Sequence, residues 1–163
     1  RIARAFAVGA GCSPESDLIK SCSLMAPACS VDFYKEHYAP RLGRQGVVNK
    51  GINLSVLDIY NLAAELELND NVAAVYHKSL LYLVSRALER ESEKPLLGMQ
   101  RFSRRLTLKP GLSISYSDGE TGATRSTSHG GFDNDVKTMN SIMKRILGKP
   151  PPFPFTSKEV EGY

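Results

Sequence analysis

The sequence predicts an α/β fold, with a mostly parallel sheet between layers of crossover helices. Short apolar segments that resemble buried strands alternate along the chain with segments whose apolar residues recur at helical spacing. Strands that are separated by helix-length segments are normally parallel, because the chain must cross back to the same end of the sheet. We therefore expect a three-layer arrangement with the order strand, helix, strand, helix, strand, helix.

The composition is typical of a folded protein. The 163 residues include 21 Lys and Arg against 17 Asp and Glu, for a net charge of +4, and 42% of them are hydrophobic. These values exclude a disordered chain, and no apolar run reaches the roughly 18 residues of a membrane span. The cysteines at positions 12, 22 and 29 are odd in number and lack metal-ligand spacing. We expect a cytoplasmic protein with no metal, no cofactor and no membrane association.

Three segments have the composition of strands: residues 21–26, 53–60 and 112–116. The polar residues 61–71 are predicted to connect the second strand to the next helix. Residues 96–109 show no clear pattern.

Three segments are predicted to be helices: residues 31–38, 72–90 and 136–147. Ser30 is the expected N-cap of the first. The third is expected to have Asp133 or Asn134 as its N-cap and to end before Gly148.

The chain is expected to be part of a larger domain. Residues 1–148 are assigned to one α/β portion, but three strands make a thin sheet, and the predicted helices barely cover one of its faces. The chain also begins without methionine, inside a pattern compatible with a helix. We expect a missing N-terminal half or a second chain as a partner.

Residues 149–163 are predicted to form a proline-rich tail. Prolines fix φ and lack backbone donors, so this segment should be extended. It is either a ligand for an aromatic-lined groove or, as we favour, a tail that packs on its own domain through Phe153 and Phe155.

Two loops that follow predicted strands carry candidate side chains, since reacting groups gather at the carboxyl ends of parallel strands. Cys29 is a possible nucleophile at a helix N-terminus, although a small buried residue is the favoured interpretation. The loop at residues 61–71 contains Glu65, Glu67 and Asp70. Its carboxylates could orient a histidine, or they could form a solvated acidic turn in which Asp70 or Asn69 caps the next helix.

The loop after the third strand is the most informative. His129 is followed by Gly130 and Gly131, which leaves room for a substrate to approach the ring, so His129 is a candidate general base. The alternative is a surface histidine in a flexible loop.

Three stretches of the sequence resemble the C-terminal half of a group of uncharacterised bacterial α/β-hydrolase-like proteins. The order of the two loops, first the one with the acid and then the one with the histidine, resembles that half as well. The stretches are SLMAPAC at residues 23–29, YHKSLLYLVS at residues 76–85 and HGGFDND at residues 129–135. The resemblance implies hydrolysis of a small-molecule ester or amide, with His129 as the triad base and Asp70 as the triad acid. Asp58, which lies within a strand, and Glu65 are the alternative acids.

The nucleophile of that family is absent from the sequence. Its serine lies in a G-x-S-x-G turn, and no such pentapeptide occurs in the 163 residues. We expect the nucleophile upstream of this chain and no turnover by the chain alone. A non-catalytic binding or interaction module is the alternative, and acyl transfer is a weaker one.

A modest basic cluster does not change this assignment. It consists of Arg101, Arg104, Arg105 and Lys109. A solvated basic surface is the favoured interpretation, so no nucleic-acid partner is expected.

Overall fold

A computed structural model describes residues 18–43, 53–70, 80–87, 94–117 and 122–161. Within these ranges three strands form one sheet in the order β1-β2-β3, where β1 is Leu18–Met25, β2 is Asn53–Leu62 and β3 is Leu112–Ser117. Both pairs of neighbouring strands are parallel. The predicted α/β class with a parallel sheet is confirmed, and each strand is longer than the sequence predicted.

Six α-helices accompany the sheet in the described residues. They are α1 (Val31–His37), α2 (Ala64–Asn69), α3 (Leu80–Ala87), α4 (Gln100–Ser103), α5 (Val136–Leu147) and α6 (Ser157–Val160). None of these helices is long and apolar enough to cross a membrane. Ser30 caps α1 as predicted, because its hydroxyl accepts a hydrogen bond from the Phe33 N–H at 3.1 Å.

Both faces of the central strand β2 are covered. Successive side chains of a strand point to opposite faces. Leu57 and Ile59 belong to a buried cluster that includes aromatic residues of α1 and its C-terminal end, whereas Tyr60 and Leu62 belong to a second cluster that includes residues of α3. The expectation that the helices barely cover one face is therefore wrong.

An ion pair with a buried carboxylate joins β2 to α5. Asp58 is 4% exposed, and the guanidinium of Arg145 donates to its two carboxylate oxygens at 2.7 and 2.9 Å. On the same face, the hydroxyls of Tyr60 and Ser141 are 3.0 Å apart. These contacts fix the C-terminal part of α5 against the sheet.

The two segments that the sequence left without regular structure are partly helical. β2 continues to Leu62, and α2 follows after Ala63, so residues 61–71 are not simply a polar connection. Residues 96–109 contain α4. Both helices are short, and short helices rarely give a readable periodic pattern.

The N-cap of α5 is Asp135, so the prediction of Asp133 or Asn134 is wrong by one or two positions. The Asp135 carboxylate accepts hydrogen bonds from the main-chain N–H groups of Lys137 and Thr138. The end of α5 is as predicted: Gly148 follows it in the left-handed conformation, with φ of 68°.

The tail is anchored through its main chain. The Asn140 side chain of α5 accepts a hydrogen bond from the Phe155 N–H at 2.8 Å and donates one to the Phe155 carbonyl at 3.0 Å. Phe155 is half-buried, but Phe153 is 90% exposed. The prediction that Phe153 packs on the domain is therefore wrong.

Some sequence predictions fall outside the described residues. Residues 1–17 include Cys12 and the start of the chain, and residues 71–79 and 88–93 include both ends of the predicted helix at 72–90. The first part of the YHKSLLYLVS stretch, residues 76–79, also lies outside the described residues.

Candidate functional site

The candidate site lies at the carboxyl ends of β2 and β3. Leu62 and Ser117, the last residues of these strands, are partners in the parallel register. The segment after β2 carries Asp70, and the segment after β3 carries His129. Because adjacent parallel strands end at the same edge of a sheet, the two segments meet there.

Asp70 and His129 are in direct contact. Asp70 ends α2, where its main-chain N–H donates to the Leu66 carbonyl at 2.8 Å. Its side-chain Oδ2 atom accepts a hydrogen bond from the main-chain N–H of His129 at 2.8 Å. The structure thus brings together two predicted site residues that are 59 positions apart in the sequence.

The contact is to the main chain of His129, and the ring has a different environment. The imidazole is half-buried, and its Nδ1 atom is buried with no hydrogen-bond partner among the described residues. Burial lowers the pKa of His129 from its ordinary value, and the nearby Asp70 carboxylate opposes this shift. The ring is therefore largely neutral at pH 7, which is the form that can accept a proton.

The loop around His129 is shaped by tight packing on one side. The Ser126 hydroxyl donates to the Ser128 carbonyl at 2.9 Å. A Cβ atom at Gly131 would lie 2.8 Å from Ser128 Oγ and 3.0 Å from Ser126 Oγ, whereas a Cβ at Gly130 would meet nothing within 4 Å. Gly131 is therefore needed for packing, whereas the backbone at Gly130 borders open space.

Asp135 connects the start of the same loop to the start of α5. Its Oδ2 atom accepts hydrogen bonds from the Arg125 N–H and the Thr138 hydroxyl, both at 2.6 Å. The Thr138 hydroxyl, which is fully buried, also lies 2.7 Å from the Thr124 hydroxyl, within hydrogen-bond distance. Burial raises the pKa of Asp135, but the hydrogen bonds that its carboxylate accepts outweigh burial, so the pKa is lowered. The same bonds join the two ends of the segment that carries His129.

The other sequence candidates are in different environments. Asp58 is bonded to Arg145, and the Glu65 side chain is exposed on α2. Cys29 is half-buried, and burial raises the pKa of its thiol, which disfavours the reactive thiolate. Of the alternatives to Asp70 for the acid, neither Asp58 nor Glu65 has a recorded contact with His129.

Glu67 is one of the three loop carboxylates that the sequence indicated, but its burial was not predicted. It is 1% exposed, and burial raises the pKa of its carboxyl to about 8, while the charge of Arg101 opposes the shift and that of Asp70 adds to it. The signal was its spacing: Glu67 and Asp70 are three residues apart, so they lie on one face if the segment is helical. Because we predicted a loop for this segment, the spacing of Glu67 and Asp70 was not interpreted as one face of a helix.

The described residues contain no group of three or more His, Cys, Asp or Glu side chains that could hold a metal ion. Comparisons with models of protein families, with curated proteins and with solved structures find no match for this chain.

Proposed function

We propose that this chain is the C-terminal part of an α/β-hydrolase-like serine hydrolase that cleaves an ester or amide bond of a small molecule. In this proposal His129 is the general base and Asp70 is the acid that orients and stabilises it. The serine nucleophile belongs to a segment upstream of this chain, because the sequence contains no G-x-S-x-G turn.

One observation carries the proposal: the contact between Asp70 Oδ2 and the His129 main chain at 2.8 Å. It joins the segment after β2 to the segment after the adjacent parallel strand β3. The acid and the base thus lie on adjacent loops in the chain order of the α/β-hydrolases, with the bond made to the main chain of His129 and not to its ring. A neutral, half-buried imidazole supports the role of base, since a group that accepts a proton at pH 7 must be unprotonated beforehand.

In this proposal one oxygen atom of the Asp70 carboxylate remains for the imidazole. A carboxylate offers two oxygen atoms, and the bond to the His129 main chain uses only Oδ2. We expect Oδ1 to accept a hydrogen bond from Nδ1–H when the serine orders the ring. Catalytic hydrogen bonds are often long or unaligned before substrate binds.

The proposal is tested with a fluorophosphonate probe, which labels activated serines, on the full-length parent protein. We expect labelling of the parent and none of the 163-residue chain alone. His129→Gln in the parent should slow labelling by several orders of magnitude. His37→Gln is the matched control, because His37 is a histidine of α1 that packs edge-on against Phe33. Equal labelling of the two variants, or no labelling of the parent, would reject the proposal.

A non-catalytic binding module is the second candidate, and the unpartnered Nδ1 favours it. If Asp70 served only to hold the loop, it would bond to the main chain of His129 and leave the ring without a hydrogen bond. The observed contacts have this arrangement. The same experiment separates the two functions, because a binding module leaves the parent unlabelled while its fold is intact by circular dichroism.

A further inference from the structure

A cavity beside α1 has an apolar floor and a positively charged rim. Its volume is about 210 Å³. It lies between the end of α1, with the 3₁₀ helix Ala39–Arg41 that follows it, and the segment that leads into β3. This segment precedes β3, whereas His129 follows that strand, so the cavity is separate from the candidate site. The described residues that line it are Tyr34, Lys35, Ala39, Leu106, Thr107 and Lys109.

The floor of the cavity continues into the buried core. Tyr34 is 3% exposed and belongs to the cluster around Leu57, and both Ala39 and Leu106 pack against that cluster. An apolar lining with a few polar groups is typical of small-molecule sites. The volume is below the roughly 300 Å³ of the smallest drug-sized pockets, so the cavity suits a molecule as small as a single aromatic ring with one substituent.

The Tyr34 hydroxyl is a donor without a protein partner. It makes no hydrogen bond with a described residue, and it is not among the polar atoms that are sealed inside the protein. Because so little of Tyr34 is exposed and the residue lines this cavity, its hydroxyl opens on the cavity. Burial raises the pKa of Tyr34, so the hydroxyl keeps its proton at neutral pH and can donate it to an acceptor.

Two lysines give the rim its positive charge, and none of the described lining residues is acidic. Lys109 makes no ion pair with a described residue. Lys35 Nζ lies 3.7 Å from the Asp32 carboxylate, but the side chains are 64% and 80% exposed, so this pair is weak. The Thr107 hydroxyl is a further donor at the rim. A carboxylate accepts up to about four hydrogen bonds, so it matches this set of donors.

The wall that carries Lys109 is held in place by the backbone. The Leu112 N–H donates to the Lys109 carbonyl at 3.0 Å. Gly43, with φ of 68°, approaches Pro110 so closely that a Cβ atom at Gly43 would lie 2.5 Å from the Pro110 carbonyl oxygen. The cavity is therefore formed before a ligand binds, which lowers the cost of binding.

We propose that this cavity binds a small organic carboxylate. The charged group faces Lys35, Lys109 and the Tyr34 hydroxyl, and the apolar body contacts Ala39 and Leu106. An uncharged molecule would leave the lysines without a partner, and inorganic phosphate would leave the apolar floor in contact with water. The inference goes beyond the proposed function and does not depend on it.

Benzoate, a carboxylate on a single aromatic ring, is the probe. It is titrated at pH 7 into the nitrogen-15-labelled 163-residue chain and followed by NMR. We expect saturable shifts of the Ala39, Leu106 and Thr107 amide resonances, with a Kd of about 1 mM for a ligand of this size. Benzamide lacks the charge and inorganic phosphate lacks the apolar body, so each should bind about tenfold more weakly. The His129 amide resonance should not shift.

Two substitutions test the groups that hold the carboxylate. Lys109→Gln removes a charge of the rim and Tyr34→Phe removes only the hydroxyl, and each should weaken benzoate binding by about fivefold. Lys144→Gln is the matched control, because Lys144 is an exposed lysine of α5 that lines a different cavity. Circular dichroism checks the fold of each variant. Lys109 is exposed, so Lys109→Gln keeps the test intact even if Tyr34→Phe does not fold.

The results that would overturn the proposal are distinct. Benzamide that binds as tightly as benzoate would show that the lysines play no part, and phosphate that binds as tightly would show the same of the apolar floor. An equal loss of binding in Lys144→Gln and Lys109→Gln, or benzoate shifts confined to resonances away from the cavity, would place the ligand elsewhere.

Discussion

At the scale of single residues, the pair of Asp58 and Arg145 shows how a charge is accommodated in the centre of the sheet. The Asp58 side chain is 5% exposed, whereas that of Arg145 is 42% exposed. The carboxylate therefore depends on the guanidinium, and the guanidinium can be hydrated without the carboxylate. Loss of one partner from a buried pair is costly because it leaves the other charge uncompensated.

This asymmetry gives a stability prediction. Arg145→Ala should lower the free energy of unfolding by about 3 kcal/mol, because Asp58 is left charged in a buried site. Lys144→Ala, the exposed neighbour on α5, should change it by no more than about 0.5 kcal/mol. Urea denaturation followed by circular dichroism measures both. Equal effects of the two substitutions would show that the ion pair contributes little.

Residue pairing at the site was only partly predictable. The meeting of Asp70 and His129 follows from the order of the strands, because adjacent parallel strands present their following loops at one edge. The order of the strands does not predict that Asp70 binds the main chain of His129 and leaves Nδ1 without a partner, since this depends on the conformation of the loop at residues 126–131. The burial of Glu67 could not be predicted because it depends on α4, which has no clear pattern in the sequence.

At the scale of elements, the N-terminus of α5 joins the fold to the candidate site. The four N–H groups at the start of a helix need acceptors, and Asp135 supplies one carboxylate to the N–H groups of Lys137 and Thr138. The same carboxylate binds the Arg125 N–H. One side chain therefore caps a helix and closes the loop of His129.

We expect Asp135→Ala to lower the free energy of unfolding by about 2 kcal/mol, the upper end of the range for a helix N-cap, because the loop closure is lost as well. Asn134→Ala is the matched control, since Asn134 is the neighbouring exposed residue that the sequence equally predicted as the cap. Urea denaturation gives the stability, and the His129 amide resonance reports on the loop. An unchanged amide resonance in Asp135→Ala would contradict the closing role.

Element boundaries show which sequence signals are strong. Ser30 and Gly148 were located correctly, because an N-cap hydroxyl and a left-handed glycine are local requirements of the backbone. The cap of α5 was misplaced because Asp133, Asn134 and Asp135 are all good N-cap residues. The choice among them depends on Thr124 and Arg125, about ten positions earlier in the chain.

At the scale of the whole molecule, the shifted groups act on stability in separate ranges of pH. Asp135 has a lowered pKa, so its contribution is lost only as the pH falls below 3.8. His129 also has a lowered pKa, so its contribution is present above 6.5 and is lost as the pH falls below that value. The raised pKa values of Cys22 and Cys29 have their effect above 9.0.

Among the residues that the structure describes, Glu67 is the group whose shifted pKa acts on stability between pH 6.5 and 8. Its pKa rises from 4.5 to about 8 on folding, so the folded chain binds more protons than the unfolded chain in this range, and stability falls as the pH rises. The slope for one proton is at most about 1.4 kcal/mol per pH unit. Urea denaturation at pH 6.5, 7.0, 7.5 and 8.0 should show this decline in the unmodified chain and in Glu65→Gln. In Glu67→Gln the free energy of unfolding should be nearly constant, because a side chain that does not titrate binds the same number of protons in both states. A decline of equal slope in Glu67→Gln would mean that another group controls the pH dependence of the fold.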